Sequence, residues 1–350
     1  MLTDEQNNAM ITLKNRIKNK EPISILQGYA GTGKSFTLSY LIQELGYSNH
    51  SVAFCAFTGA AAKILMDNGL NASTIHRLIY KPIFRNNICI GFRKKHRSEL
   101  YSLRLIVVDE YSMVSQSILD DLQSFGVPLL LVGDSFQLPP IGKPNQYYNE
   151  YNAFLHTVQR QALNSPLLWA ATKIREGEIL KEGNYDNKLL VGRKHQLDEN
   201  WLRSDVQFIC GTNATRHNLN TKISGSASPQ KGDKIIFLRN HFDQGIVNGS
   251  ITVIDEIYTY YSRYYLDFFY EGIPYKDYIS YYQNIPKKTK YFINTFDKGY
   301  AITCHKAQGA TIFDPMCIID ESYYFKPNSS KWLYTALTRG TGKKPVALLR

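Results

Sequence analysis

Four short apolar runs, each closed by polar residues, set the pattern of the first half of the chain. Ile23, Ile25 and Leu26 lead into Gln27-Gly28, residues 51–57 into Thr58-Gly59, 103–108 into Asp109-Glu110 and 128–132 into Gly133-Asp134. Runs this rich in apolar residues, without regular alternation, predict strands covered on both faces, as in a parallel sheet flanked by helices. Helical stretches separate them. Residues 3–18 open with Thr3-Asp4-Glu5-Gln6, an N-cap and first turn, and place Ala9, Ile11, Leu13 and Ile17 on an apolar face. Residues 36–45 read as a helix that stops at Gly46. In an open α/β sheet ligands gather at the carboxyl ends of the strands. The polar ends of these four runs therefore predict one site.

The first of those ends carries the chemistry. Gly28-Tyr29-Ala30-Gly31-Thr32-Gly33-Lys34-Ser35 has the spacing G-x-x-x-x-G-K-S between a strand and a helix. Glycines let backbone N–H groups wrap around phosphates, and the following helix adds its N-terminal dipole. Lys34 is placed to reach the β- and γ-phosphates, and the Ser35 hydroxyl to ligate Mg²⁺. Asp109 fits the acidic residue that holds Mg²⁺ opposite Ser35, and Glu110 beside it can polarise a water. Between the second and third runs, residues 79–102 crowd Arg85, Arg93, Lys94, Lys95, His96 and Arg97 around Phe84, Ile88, Ile90 and Phe92. That mixture suits a nucleic-acid contact and equally a solvated hairpin.

The second half changes texture. Residues 206–210 predict the first strand of another lobe, and residues 231–238 and 248–254 read as strands around turn signals. Eleven of the 25 tyrosines lie within 258–291. Tyrosine runs favour half-buried strands, so a small inserted barrel is expected, with packing favoured over base stacking as their use. The chain then returns to α/β character with His305-Lys306-Ala307-Gln308-Gly309 and, later, Thr335-Ala336-Leu337-Thr338-Arg339.

Composition sharpens the picture. A chain of 350 residues with 43% hydrophobic and 20% charged residues is globular and long enough for two cores. The net charge of +11 asks for an anionic partner, and nucleic acid is the usual one. Five scattered cysteines with no C-x-x-C spacing argue against zinc, iron–sulfur or disulfide frameworks. No apolar run approaches a membrane span and no secretory signal leads the chain, so a cytoplasmic protein with no membrane partner is expected, in the host cytoplasm if phage-encoded.

Taken in order, these motifs resemble superfamily 1B DNA helicases of the RecD/Dda-like group, with Pif-type relatives. The resemblance runs through Gln6, the phosphate loop, Thr58-Gly59-Ala60-Ala61, Thr74-Ile75-His76 and Asp109-Glu110-Tyr111-Ser112. It continues through Gly133-Asp134-Ser135-Phe136-Gln137-Leu138-Pro139-Pro140, Val158-Gln159-Arg160, residues 305–309 and residues 335–339. It implies an α/β chain of two RecA-like P-loop lobes: 1–164, with a pin insertion at 79–102, and 165–224 with 292–350. A small SH3-like barrel would occupy 225–291. It implies an ATP-dependent helicase or translocase moving 5′ to 3′ on single-stranded DNA, for replication, repair or recombination. An ATPase that remodels protein–DNA complexes without processive unwinding is the alternative.

The residue roles follow from the same resemblance. Gln6 would read the adenine, and Gly28, Ala30, Gly31, Thr32, Gly33, Lys34, Ser35 and Phe36 would line the ATP site, with Mg²⁺ on Ser35 and Asp109. Glu110, Gln137, Arg160 and Arg339 would serve catalysis, the two arginines as fingers. Thr58, Thr74, His76, His305 and Lys306 would contact the DNA strand. Implied partners are single-stranded DNA, single-strand/duplex junctions, and single-strand-binding or replication and recombination proteins, with the chain a monomer. The chain ends 11 residues after Arg339, so a motor core is expected.

Overall fold

The computed structural model describes every residue except 86–87, 141, 160–164, 198–200, 204, 239–247, 261–262, 271–272 and 282–294. The chain divides into two compact units, Met1–Ile83 with Gly91–Arg175, and Phe84–Ile90 with Glu176–Arg350.

The first unit is built on six parallel strands. They are β1 (Ile23–Gly28), β2 (Val52–Ala56), β3 (Ala72–Thr74) and, after a hairpin of β4 (Tyr80–Arg85) and β5 (Ile88–Lys94), β6 (Leu105–Asp109), β7 (Leu129–Gly133) and β8 (Ala153–Leu155). The sheet order is β3-β2-β6-β7-β1-β8. Alternate residues of one strand enter opposite cores: Leu26, Phe54, Val107 and Leu130 on one face, Ile25, Cys55, Val108 and Leu131 on the other. Both faces are covered, which is why the strands read as unbroken apolar runs. The register sets Ala56 beside Asp109 and Gln27 beside Gly133, so the polar strand ends line one edge.

Helices α1 (Asp4–Lys18), α2 (Lys34–Leu45), α3 (Gly59–Asp67), α4 (Ile75–Ile79), α5 (Gln116–Gln123) and α6 (Pro166–Arg175) complete this unit. The capping box of α1 pairs Thr3 with Gln6, and its buried stripe is Gln6, Ala9, Met10, Leu13 and Ile17. Ile11 is therefore not on that face. It is 45% exposed, and Met10 takes its place at the spacing of a helical stripe. The first unit extends to Arg175, past the boundary expected at 164, and so includes α6, whose buried residues include Leu167, Ala170, Ala171 and Ile174.

The second unit holds another six-stranded sheet, which begins with β9 (Gly183–Tyr185), β10 (Leu189–Gly192) and β11 (Gln207–Cys210). Between them, β12 (Lys234–Phe237), β13 (Ile251–Tyr260), β14 (Arg263–Tyr270), β15 (Ile273–Tyr281) and β16 (Thr295–Lys298) close a barrel. The sheet resumes with β17 (Ala301–Thr303), β18 (Met316–Ile319) and β19 (Val346–Leu349), in the order β17-β11-β18-β19-β10-β9. Helices α7 (Asn213–Ser224), α8 (Cys304–Ala307) and α9 (Ser329–Leu337) belong to this unit.

The barrel reaches beyond the expected 225–291, because closure needs a strand that pairs with both free edges. β16 does so, antiparallel to β12 and parallel to β15. The barrel interior is Ile235, Phe237, Ile254, Leu266, Phe268 and Phe296, with Tyr264 and Tyr275 packed against it and Tyr258 exposed.

A buried polar seam ties the barrel to the sheet. Arg216 on α7 donates to Asp297 at 2.6 Å, both almost fully buried. Asn220 donates to the carbonyls of Lys298 and Ala301 at 3.0 and 3.2 Å, and Tyr300 donates to Asp233 at 2.8 Å. Arg216→Ala strands a buried carboxylate and should cost about 3–5 kcal/mol, whereas replacing both partners by apolar residues should cost far less. Denaturant midpoints of the two variants check this. Equal losses would show that packing, not charge, governs the seam.

Candidate functional site

The phosphate loop leaves β1 at Gly28 and turns into α2 through Gly31 and Gly33, at φ of 77° and 86°. Neither turn suits a side chain. A Cβ on Gly33 would also lie 2.4 Å from Gln6 Nε2, and one on Gly28 would lie 2.9 Å from Thr32 Oγ1. Residues outside the motif brace the loop. Gln6 Nε2 donates to the Thr32 carbonyl at 3.0 Å while its Oε1 accepts from the Thr3 backbone at 3.0 Å. Gln159 N–H donates to Gly31 O at 2.9 Å, and Tyr29 N–H to Leu155 O at 3.2 Å. Gln6, expected to read adenine, is thus built into the support of the loop.

Lys34 Nζ donates to the carbonyls of Gly28 and Tyr29 at 2.7 and 3.0 Å, bending back over the loop it follows. Ser35 and Phe36 are exposed, and Phe36 sets its ring edge-on to Tyr40. Arg175 lies over the Tyr29 ring at 3.8 Å, and Phe154 meets that ring edge-on.

On the same edge, Asp109 accepts from Glu110 N–H at 3.0 Å. Desolvation, and then the Glu110 charge, push the Asp109 carboxyl up to about 7, with the Glu110 N–H and Lys34 opposing. Glu110 takes a left-handed φ of 50°, rare for a side chain this size. Strain of this kind survives only where the surroundings fix it. Gln137 Nε2 reaches Glu110 Oε1 at 3.4 Å, and Gln137 Oε1 is buried with no hydrogen-bond partner among the described residues.

The sequence did not mark what positions this pair. Gln27 Nε2 lies 2.6 Å from the Tyr111 hydroxyl and donates to the carbonyls of Tyr148 and Glu150. Tyr148 donates to Ser135 O and Gln137 O at 3.0 and 2.9 Å, and Asn145 donates to Tyr111 O and Val114 O. Buried polar side chains in an apolar strand end were the available signal, and Gln27 is one.

The expected strand contacts are dispersed. Thr58 and Thr74 are N-caps, accepting from Ala61 N–H at 3.2 Å and Arg77 N–H at 3.3 Å. His76 sits beside Tyr80 and Phe92, and His305 beside Phe325; burial lowers both imidazoles below their usual range. Lys306, the next residue of α8, is exposed. Arg339 lies past the end of α9 rather than inside it, 6% exposed, donating to Thr335 O at 3.1 Å and Thr338 Oγ1 at 3.2 Å. Arg160 falls outside the described residues.

A phosphate loop on a parallel sheet edge, faced by an Asp-Glu pair and a glutamine, defines a P-loop nucleotide site. The family described as AAA domain matches residues 1–195, more than half of the chain, and the UvrD-like helicase C-terminal domain matches residues 298–343. The chain belongs to the AAA domain family.

It is similar to the ATP-dependent RecD2 DNA helicase of Deinococcus radiodurans, 29% identical over 357 aligned residues that cover 90% of this chain and 45% of that one. It is also similar to the ATP-dependent DNA helicase Pif1 of Campylobacter jejuni, 24% identical over an alignment of 406 positions, covering 92% of this chain and 88% of that one. The fold matches the crystal structure of Pif1 helicase from Bacteroides in complex with ADP-AlF3 and ssDNA, at a TM-score of 0.59 and 21% identity, over 99% of this chain and 92% of that one. The chain spans less than half the length of its RecD2 relative.

Tyr148→Phe removes one hydroxyl that holds the Gln137 backbone. Stability should fall by about 1 kcal/mol, and nucleotide turnover should fall with little change in nucleotide affinity. Steady-state kinetics beside a thermal melt check it; unchanged turnover would show that this hydroxyl does not position Gln137.

Proposed function

We propose that the chain is an ATP-dependent DNA helicase that translocates 5′ to 3′ along single-stranded DNA and separates the duplex ahead of it. The observation that carries this reading is the meeting of Lys34, Asp109, Glu110 and Gln137 at one sheet edge within one compact unit. Such a set suits hydrolysis and goes beyond binding.

The residues fit a magnesium–triphosphate. Asp109 and Ser35 offer the oxygen ligands that Mg²⁺ takes, and Gln137 Oε1 is a buried acceptor in need of a donor. Bound there, Mg²⁺ would neutralise charge on the triphosphate. Lys34 exchanges two carbonyl acceptors for phosphate oxygens, gaining charge-assisted bonds. Glu110 orients the attacking water and draws its proton, and Gln137 Oε1 accepts from that water. Arg160 and Arg339 supply positive charge as the γ-phosphoryl leaves. Gln6 contributes by keeping Thr32 and Gly33 in place.

The strand is held by Thr58, Thr74, His76, His305 and Lys306, through phosphates and sugars, so that movement is independent of sequence. The β4–β5 hairpin serves as the pin. Its base is bolted down by Lys94 and Tyr80, which bond the two oxygens of Asp121 at 2.8 and 2.5 Å, and by the Lys81–Glu99 pair at 2.6 Å. The five-stranded barrel serves as the SH3-like module of the second lobe. A base fixed this firmly suits a part that must resist a duplex.

Lys34→Ala should abolish ATP turnover while leaving salt-sensitive DNA binding intact; normal turnover would refute the site. Arg339→Ala should bind ATP normally and lose on the order of 10³-fold in hydrolysis. Should it unfold instead, the arginine is structural. With ATP and Mg²⁺, strand separation should occur on 5′-tailed duplexes and not on 3′-tailed ones. Rapid ATP turnover with neither substrate opened would leave a remodelling ATPase.

A further inference from the structure

We propose that Tyr323 and Tyr324 form a stacking platform for unpaired nucleobases at the C-terminal edge of the second sheet. The two rings lie in the short 3-10 turn Ser322–Phe325 that follows β18, with centroids 4.1 Å apart at 40°. They are 51% and 61% exposed, in a turn whose other members face inward. Ser322 is buried, and Phe325 stacks on Trp332 at 5.9 Å and 21°. Covering two adjacent exposed aromatic rings removes apolar surface from water, which is favourable.

The turn beneath them is pinned by hydrogen bonds. Glu321, 5% exposed, accepts from the backbone N–H groups of Gly211 and Thr212 at 2.7 and 2.9 Å and from Thr215 Oγ1 at 2.5 Å. A Cβ on Gly211 would lie 2.7 Å from Glu321 Cβ and 2.9 Å from Phe325 Cε2, so the turn is seated directly on β11's end. A platform held this way presents its rings without an ordering cost on binding.

The charges select the occupant. Both acidic residues at this edge are engaged: Glu321 as above, and Asp320 with Ser322 N–H at 2.9 Å and with Arg350 at 3.5 Å. Lys194 Nζ lies over the Tyr323 ring, 5.4 Å from its centroid. His305 lies on the other side of the same turn, against Phe325 at 5.5 Å. Flat aromatic faces beside a cation, with the neighbouring carboxylates engaged, fit a single strand: bases on the rings, phosphates toward Lys194. A duplex keeps its bases inside and cannot use such faces.

This inference rests on the single-strand reading and extends it from phosphates to bases, on residues that no motif marks. The test compares binding of a fluorescent oligothymidylate and an abasic strand of equal length, at several salt concentrations. The wild-type protein should prefer the thymidylate. The Tyr323→Ala/Tyr324→Ala variant should lose roughly 10- to 100-fold on thymidylate and nothing on the abasic strand, with the salt slope unchanged. The corresponding double Phe variant should keep the wild-type preference.

Thymidylate binding equal to wild type in the Ala variant would overturn the platform alone. So would an equal loss on both strands, which would mark a structural role. A wild-type protein that binds neither strand would overturn the single-strand reading together with the platform.

Discussion

The phosphate loop depends on hydrogen bonds that have nothing to do with nucleotide. Gly31 and Gly33 adopt left-handed turns that only glycine tolerates well, and such a loop would otherwise sample many shapes. Gln6 from the first helix and Gln159 from the segment after β8 fix its carbonyls from opposite ends of the unit's sequence. The central strand β1 supplies the base, flanked by β7 and β8. A loop pre-shaped in this way binds a triphosphate without a large ordering cost. Everything proposed for catalysis assumes that shape.

The same device recurs at each polar strand end. Gln27, Tyr111, Tyr148 and Asn145 secure the segment that carries Glu110 and Gln137, leaving Gln137 Oε1 without a partner among the described residues and Glu110 in a strained φ. In the second unit, Glu321 fastens Gly211-Thr212, and Arg216–Asp297 fastens the barrel to α7. Buried polar bonds of this kind add little net stability, yet breaking one partner is costly. They specify geometry, and geometry is what a hydrolysis site needs.

Much of this was legible in the chain. Four of the six strands of the first sheet follow from largely apolar runs, since a strand covered on both faces has little room for polar side chains; β3 and β8 carried no such run, and buried Ser24 interrupts β1. Lys34, Asp109 and Glu110 stand out because their chemistry needs that order. Other features needed three dimensions. Met10 displaced Ile11 because the helical stripe is set by where the sheet lies, which a weakly amphipathic helix does not declare. The closing strand β16 escaped the expected insertion because closure pairs residues far apart in sequence. Gln6 combined a cap, a loop brace and a motif position in one side chain, and only its neighbours separate those duties. Tyr323 and Tyr324 carried no signal beyond two aromatics in a polar stretch.

The site built on Lys34, Asp109, Glu110 and Gln137 is proposed to hydrolyse ATP in response to a single strand of DNA. The steady-state ATPase rate, measured with Mg²⁺ while oligothymidylate is titrated in, tests it most directly. A low basal rate that climbs steeply and saturates is the predicted result. A rate that stays flat across the titration would contradict it.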